Sequence, residues 1–197
     1  MNKLEEIIAQ IKKLEQELLQ ELQQKQDEYF YIIKGKRVRF EEGTKRYHRT
    51  LATKIHTYFA EASLLNTLTF PIIWSCLLPA LFMDLVVSIY HSSCFRIYRI
   101  PRVKRSDYIV IDHQSLAYLN WIEKLNCIYC SYFNGLIAWT QEIGARSEQY
   151  WCPIKHARKL SSIHGRYHKF LPYGDSNNFQ QRYEQVRRDF EDLNPGD

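Results

Sequence analysis

The sequence predicts a mainly α-helical protein. The expected parts are a long N-terminal helix of coiled-coil type, a proline-broken membrane-inserted helical segment, and a small helical metal-bound cytosolic domain with at most a short strand or hairpin. Three observations lead there. Apolar residues recur at three- and four-residue steps near the N-terminus. A nearly uncharged run fills residues 64–90. Two close pairs, Cys127 with Cys130 and Cys152 with His156, have the spacing of metal ligands.

The first helix covers residues 1–30. Leu4, Ile7, Ile11, Leu14 and Leu18 share one stripe, which shifts at Leu22, and Glu, Lys and Gln fill the other faces. A helix this short is marginal alone. It therefore calls for a second copy, making a homo-oligomer through residues 1–28, or for docking on its own chain.

Residues 31–63 form a basic connector. A hairpin around Gly35 is one reading of residues 29–42. From Thr44 a helical period places Leu51, Ile55, Tyr58, Phe59 and Ala62 on one face. Residues 31–60 hold eight Lys/Arg against two acidic residues. A basic amphipathic helix of this kind suits an anionic membrane surface.

Residues 64–95 are the membrane-inserted segment. Leu64 to Tyr90 is 27 residues with one formal charge, Asp84. A run of about 20 apolar residues can span a bilayer. Pro71 and Pro79 interrupt this one, and both flanks are basic, with Arg96, Arg99, Arg102, Lys104 and Arg105 following it. Because cytoplasmic flanks carry the excess of Lys and Arg, a re-entrant hairpin competes with a single span and with a buried soluble helix. Asp84 then needs a partner or access to water. Basic clusters bracketing the most apolar stretch favour anionic lipid headgroups over nucleic acid.

Residues 96–175 are the expected metal domain. Asp107–Asp112 reads as a short strand, Ser115–Asn126 as a helix, and Asn134-Gly135 as a turn or helix start. Residues 136–150 and 157–171 read as helices. Pro153 reads as the first residue of a helix, which puts Cys152 at that helix's start and His156 one turn in. A Cys3His set with four protein ligands leaves no open coordination position, so zinc would stabilise rather than catalyse. Iron or an iron–sulfur cluster fits the same donors. A Cys127–Cys130 redox pair and plain packing remain open as well. Cys76 and Cys94 read as packing residues. An amphipathic helix over roughly Asn178–Leu193 closes the chain within residues 176–197.

No catalytic set is legible. Asp112-His113 could orient a base, although a hydrogen-bonded turn accounts for the pair equally. His164 and His168, with His156, offer a second metal site or a polar helix face. No HExxH, Walker loop or GxGxxG is present. The expectation leans away from an enzyme, with a membrane-bound enzyme acting on a lipid-linked substrate through Asp84 or Asp112/His113 as the alternative.

Residues 106–175, with their C-x2-C and C-P-I-K-H-A elements, resemble a group of uncharacterised bacterial proteins that share both. The apolar segment with Pro79 and Asp84 extends the resemblance to about two thirds of the chain. It implies a membrane-associated metal-binding domain on the cytoplasmic face of a bacterial inner membrane, with Cys127, Cys130, Cys152 and His156 as the matching positions. It implies no activity. A scaffold or interaction protein follows as the expected function, with an unidentified protein partner.

Overall fold

The computed structural model describes residues 3–54, 57 and 64–193. It is mainly helical, with one two-stranded hairpin. The chain groups into two units. One comprises Met1–Glu61 with Asp112–Cys127, and the other Ala62–Ile111 with Ile128–Asp197.

In the first unit, helix α1 runs Lys3–Glu28. Ile11, Leu14, Leu18 and Leu22 are exposed, so this part of the heptad-like stripe has no cover. Strands β1 (Tyr31–Lys34) and β2 (Arg37–Phe40) pair antiparallel, Tyr31 opposite Phe40 and Ile33 opposite Val38. Gly35 takes a φ of 61° in the turn, a conformation that costs glycine nothing. Helix α2 is Glu42–Thr50. The longer helical face expected through Ile55, Tyr58, Phe59 and Ala62 lies outside the described residues.

The second unit starts with helix α3 (Leu64–Ser75) and helix α4 (Leu77–Tyr98). Only Cys76 separates them. Leu68–Tyr98 therefore reads as one rod of 31 residues, long and apolar enough to cross a membrane. The chain does not double back here, so the re-entrant hairpin is not formed. Pro79 has no N–H to give, and the junction responds with a tight turn in which the Cys76 N–H bonds the Ile73 carbonyl at 3.2 Å. The Tyr129 hydroxyl donates to that same carbonyl at 2.9 Å, and the Tyr129 ring packs on Trp74.

Helix α4 ends at Arg99, in a left-handed conformation with φ 56°. Residues 100–111 then return as an irregular connector. The strand expected at Asp107–Asp112 is absent; a 3-10 turn, Arg105–Asp107, stands at its start. Val103 accepts a hydrogen bond from Trp139 at 3.4 Å, and its own N–H donates to the buried His91 at 2.9 Å. The backbone needs of this segment are met by side chains rather than a neighbouring strand.

Helix α5, Trp121–Trp151, is the longest element. It begins six residues later than the Ser115 start predicted, because the cap is at Asn120. The Asn120 side chain accepts the N–H groups of Ile122 and Glu123 at 3.0 Å, while Glu123 accepts the Asn120 N–H at 2.8 Å. This reciprocal arrangement satisfies donors that a helix start leaves open. Asn134-Gly135 is no break. Gly135 lies inside α5, where a Cβ would come within 2.6 Å of the Tyr108 carbonyl oxygen. The glycine admits the connector, not a turn.

Beyond α5 the predicted helix over 157–171 is replaced by irregular chain with a 3-10 turn at Tyr167–Lys169 and a parallel bridge between Ile154 and Leu171. Helix α6 is Ser176–Arg188. The core of this unit gathers Ala80 and Phe95 from α4, Ile100 and Val103 from the connector, and Leu136, Trp139, Ile143 and Tyr150 from α5.

Candidate functional site

The four expected metal ligands are not brought together. Cys127 and Cys130 share one face of α5, as their spacing predicts. Cys152 follows the last residue of that same uninterrupted helix, its N–H still bonded to the Glu148 carbonyl at 2.7 Å. Cys130 and Cys152 are thus separated by roughly 33 Å of helix at the usual rise, and a Zn–S bond is about 2.3 Å. Pro153 does not start a helix. Its ring and missing N–H stop α5 instead, and the chain turns extended into the Ile154 bridge.

Cys130 has other company. Burial pushes the Tyr129 phenol above its ordinary value, and the Cys76 and Cys130 thiol groups add to the effect. His156 stacks on Tyr167 with an interplanar angle of 10°, and its backbone N–H donates to the Tyr167 hydroxyl at 2.8 Å. His164 pairs with Glu148 at 3.0 Å, and the His168 Nδ1 lies 2.7 Å from the Gly165 carbonyl oxygen. The second histidine site is not assembled either. Among the described residues, no group of three or more His, Cys, Asp or Glu side chains could hold a metal ion. Asp112 and His113 lie 3.3 Å apart beside a short 3-10 turn, both well exposed.

What the sequence flagged and the structure does partner is Asp84. Arg105 reaches back from the connector and grips both carboxylate oxygens at 2.5 and 2.6 Å. Tyr132 donates from α5 at 2.6 Å, and Ser88 from one helical turn away at 3.2 Å. The guanidinium also lies 5.2 Å from the Trp139 ring centroid. A lone carboxylate on an apolar helix is costly, and a fork-shaped cation with two hydroxyl donors is the arrangement that offsets it. Arg105 was visible in the sequence as part of a basic cluster; its pairing across 21 residues was not.

Beside this clasp a groove of about 660 Å³ opens along α4. Leu85 and Ile89 form its apolar side, Ser88 and Ser92 supply hydroxyls, and Arg102, Lys104 and Arg105 form its basic side. Arg105 is committed to Asp84. Lys104 has only a loose contact with Asp107 at 4.0 Å, and Arg102 has no ion-pair partner among the described residues. Arg146 fixes this rim from beneath. It is nearly fully buried, salt-bridged to Glu142 at 2.7 Å, and donates to the Pro101 and Arg102 carbonyls at 3.0 and 3.3 Å. The result is a fixed cationic edge on an exposed apolar helix.

Comparison with protein-family models, curated proteins and solved structures gave no match. The resemblance drawn from the C-x2-C and C-P-I-K-H-A elements therefore rests on those residues alone.

Proposed function

We propose that this chain is a membrane-anchored binding protein that recognises anionic lipid headgroups at the foot of its apolar helix. The observation that carries the proposal is the junction at Asp84. Leu64–Met83 contains no charged residue and is 20 residues long, roughly 30 Å of helix, which matches the hydrocarbon core of a bilayer. Its side chains from Leu68 onward, including Ile72, Leu78 and Phe82, are largely exposed. At Asp84 the exposed apolar face is interrupted by an ion pair and hydroxyls; it resumes at Leu85, Val86 and Ile89, where the connector brings Arg102, Lys104 and Arg105 alongside. Apolar side chains next to cations are what the zone between acyl chains and headgroups accommodates. The groove on the polar side offers cations for a phosphate and an apolar wall for the start of an acyl chain.

The proposed role is binding, and it draws on the cations and apolar wall of the groove rather than on Cys127, Cys130, Cys152 and His156. Self-association belongs to the same proposal, since the α1 stripe at Ile11, Leu14 and Leu18 is open to a second copy.

Reconstitution tests it. Full-length protein should float with phosphatidylglycerol vesicles, and prefer them to phosphatidylcholine vesicles in low salt. Each of Arg102→Ala and Lys104→Ala should lower that preference about fivefold, the equivalent of roughly 1 kcal/mol per cation near an anionic surface. Equal flotation with both lipids, unchanged in the double variant, would remove the headgroup site while leaving the anchor.

A further inference from the structure

The first unit carries a second, chemically different pair of cavities. One, of about 660 Å³, is lined largely by rings: Tyr29, Tyr31, Phe40, Tyr47, His48 and Tyr118. Four of them form a continuous series. Tyr31 meets Phe40 at 5.6 Å between centroids, Phe40 meets His48 edge-on at 5.2 Å, and His48 meets Tyr118 edge-on at 5.2 Å. The other cavity, of about 510 Å³, shares Phe40 with the first and is lined by Arg39, Lys45, Arg49 and Lys124, with Glu42 as the one carboxylate. Lys45 makes a loose 3.7 Å contact with Glu42, while Arg39, Arg49 and Lys124 have no ion-pair partner among the described residues. Both volumes are in the range that takes small molecules.

We infer that these adjoining cavities form a nucleotide-binding site, with the base among the rings and the phosphates on the cations. Three features select this class. A cavity lined by Tyr29, Tyr31, Tyr47 and Tyr118 favours a flat aromatic ligand, and base–aromatic stacking tolerates any base. The His48 Nδ1 is buried without a hydrogen-bond partner in the structure, a state that favours a ligand edge carrying a donor or acceptor. The neighbouring cations exclude the alternative ligand of an aromatic cage, a quaternary ammonium, by like-charge repulsion. They call instead for phosphate, which Arg holds by its planar fork and Lys as a point charge. The backbone frame is local: the β1–β2 register sets Tyr31 and Phe40 opposite one another, and α2 supplies Tyr47, His48, Lys45 and Arg49 from a single short helix.

This inference rests on the first unit alone and does not depend on the lipid groove. The test is calorimetric titration of the detergent-solubilised full chain with ATP, adenosine and tripolyphosphate. ATP should bind at least tenfold tighter than either fragment, since only ATP fills both cavities. Tyr47→Leu and Tyr118→Leu should each weaken ATP about tenfold without altering tripolyphosphate binding, and Arg49→Ala should weaken both. Tyr47 and Tyr118 are exposed, and unchanged circular dichroism in these variants would confirm folding. ATP no tighter than tripolyphosphate would reduce the site to general charge attraction and overturn the inference. So would the absence of any ATP binding up to millimolar concentration. Arg49→Ala that loses anionic-vesicle binding but keeps ATP binding would assign these cations to lipid and overturn it too.

Discussion

Two aspartates in the second unit are each held by an arginine, and they do different work. Asp84 lies on α4 with its side chain 14% exposed, and its partners come from its own helix, the connector and α5. Asp192 lies after α6 with its side chain 46% exposed, held by Arg166 and Lys169 from the irregular chain that follows α5. The second clasp is part of a wider latch. Gln149, fully buried on α5, donates to the Val186 and Asp189 carbonyls at 2.9 and 2.7 Å and accepts a hydrogen bond from Arg166. Lys169 also pairs with Asp189 at 3.0 Å. The latch shares its aspartate between two cations; the Asp84 clasp has a single cation, Arg105, whose own side chain is 42% exposed. Redundancy spreads the loss when one group is removed, whereas isolation concentrates it.

The comparison breaks most visibly at Asp84. Arg105→Ala leaves the Asp84 carboxylate with only the Tyr132 and Ser88 hydroxyls and, with the arginine partly open to water, is expected to cost about 1–3 kcal/mol in a detergent unfolding titration. Replacing the pair together, Asp84→Leu with Arg105→Met, should recover most of that loss. If Arg105→Ala unfolds no more easily than the native chain, the clasp is a surface pair and the contrast fails.

Gly135→Ala comes next. The added methyl meets the Tyr108 oxygen at 2.6 Å and the Ile109 Cα at 2.9 Å, both backbone atoms that cannot rotate away. An overpacking cost of about 1–3 kcal/mol is expected, read as a lower melting midpoint. Gly144→Ala, with open space around its Cβ, is the control and should be neutral or slightly stabilising.

The latch is sharpened by acid. Burial acts to raise the Asp192 carboxyl, and hydrogen bonds and charge from Lys169 and Arg166 overcome it, holding the group down at about 2, from an ordinary 3.8. A carboxyl held low in the fold stabilises above its unfolded value and loses that contribution as pH falls through the folded one. Stability should therefore decline between pH about 4 and 2, with a shallow slope, since the group is half in water. Asp192→Asn should flatten that part of the profile. A profile unchanged by the substitution would place the acid sensitivity elsewhere.

The smallest effect is expected at Cys152→Ser. Its exposed side chain should tolerate the change within about 0.5 kcal/mol, and a chelator should leave the melting midpoint where it was. A zinc-dependent melt would require the two ligand pairs to meet by a route other than one chain's own helix.

Much of the fold was legible because its signals are local. The α1 stripe, the turn at Gly35 and the uncharged run at Leu64–Met83 each depend on neighbours a few residues apart. The failures have one cause. Between Asn120 and Pro153 the sequence carries turn-like signs at Asn134-Gly135, and these suggested separate helices with metal ligands at their ends. The glycine answers instead to a connector that crosses α5 from about 27 residues earlier in sequence. Once the helix is continuous, two ligand pairs that look adjacent in sequence stand at distant points along it. The Asp84–Arg105 pair and the ring series through His48 were hidden for the same reason: each is assembled by tertiary packing, and spacing along the chain does not encode it.

The most direct test of the account is extraction of the full-length protein from membranes with alkaline carbonate. An inserted helix predicts that the native chain stays in the membrane pellet, and that Leu78→Arg with Phe82→Arg shifts it to the supernatant. Native protein released by carbonate as a soluble species would contradict the anchor, and with it the lipid groove proposed beside Asp84.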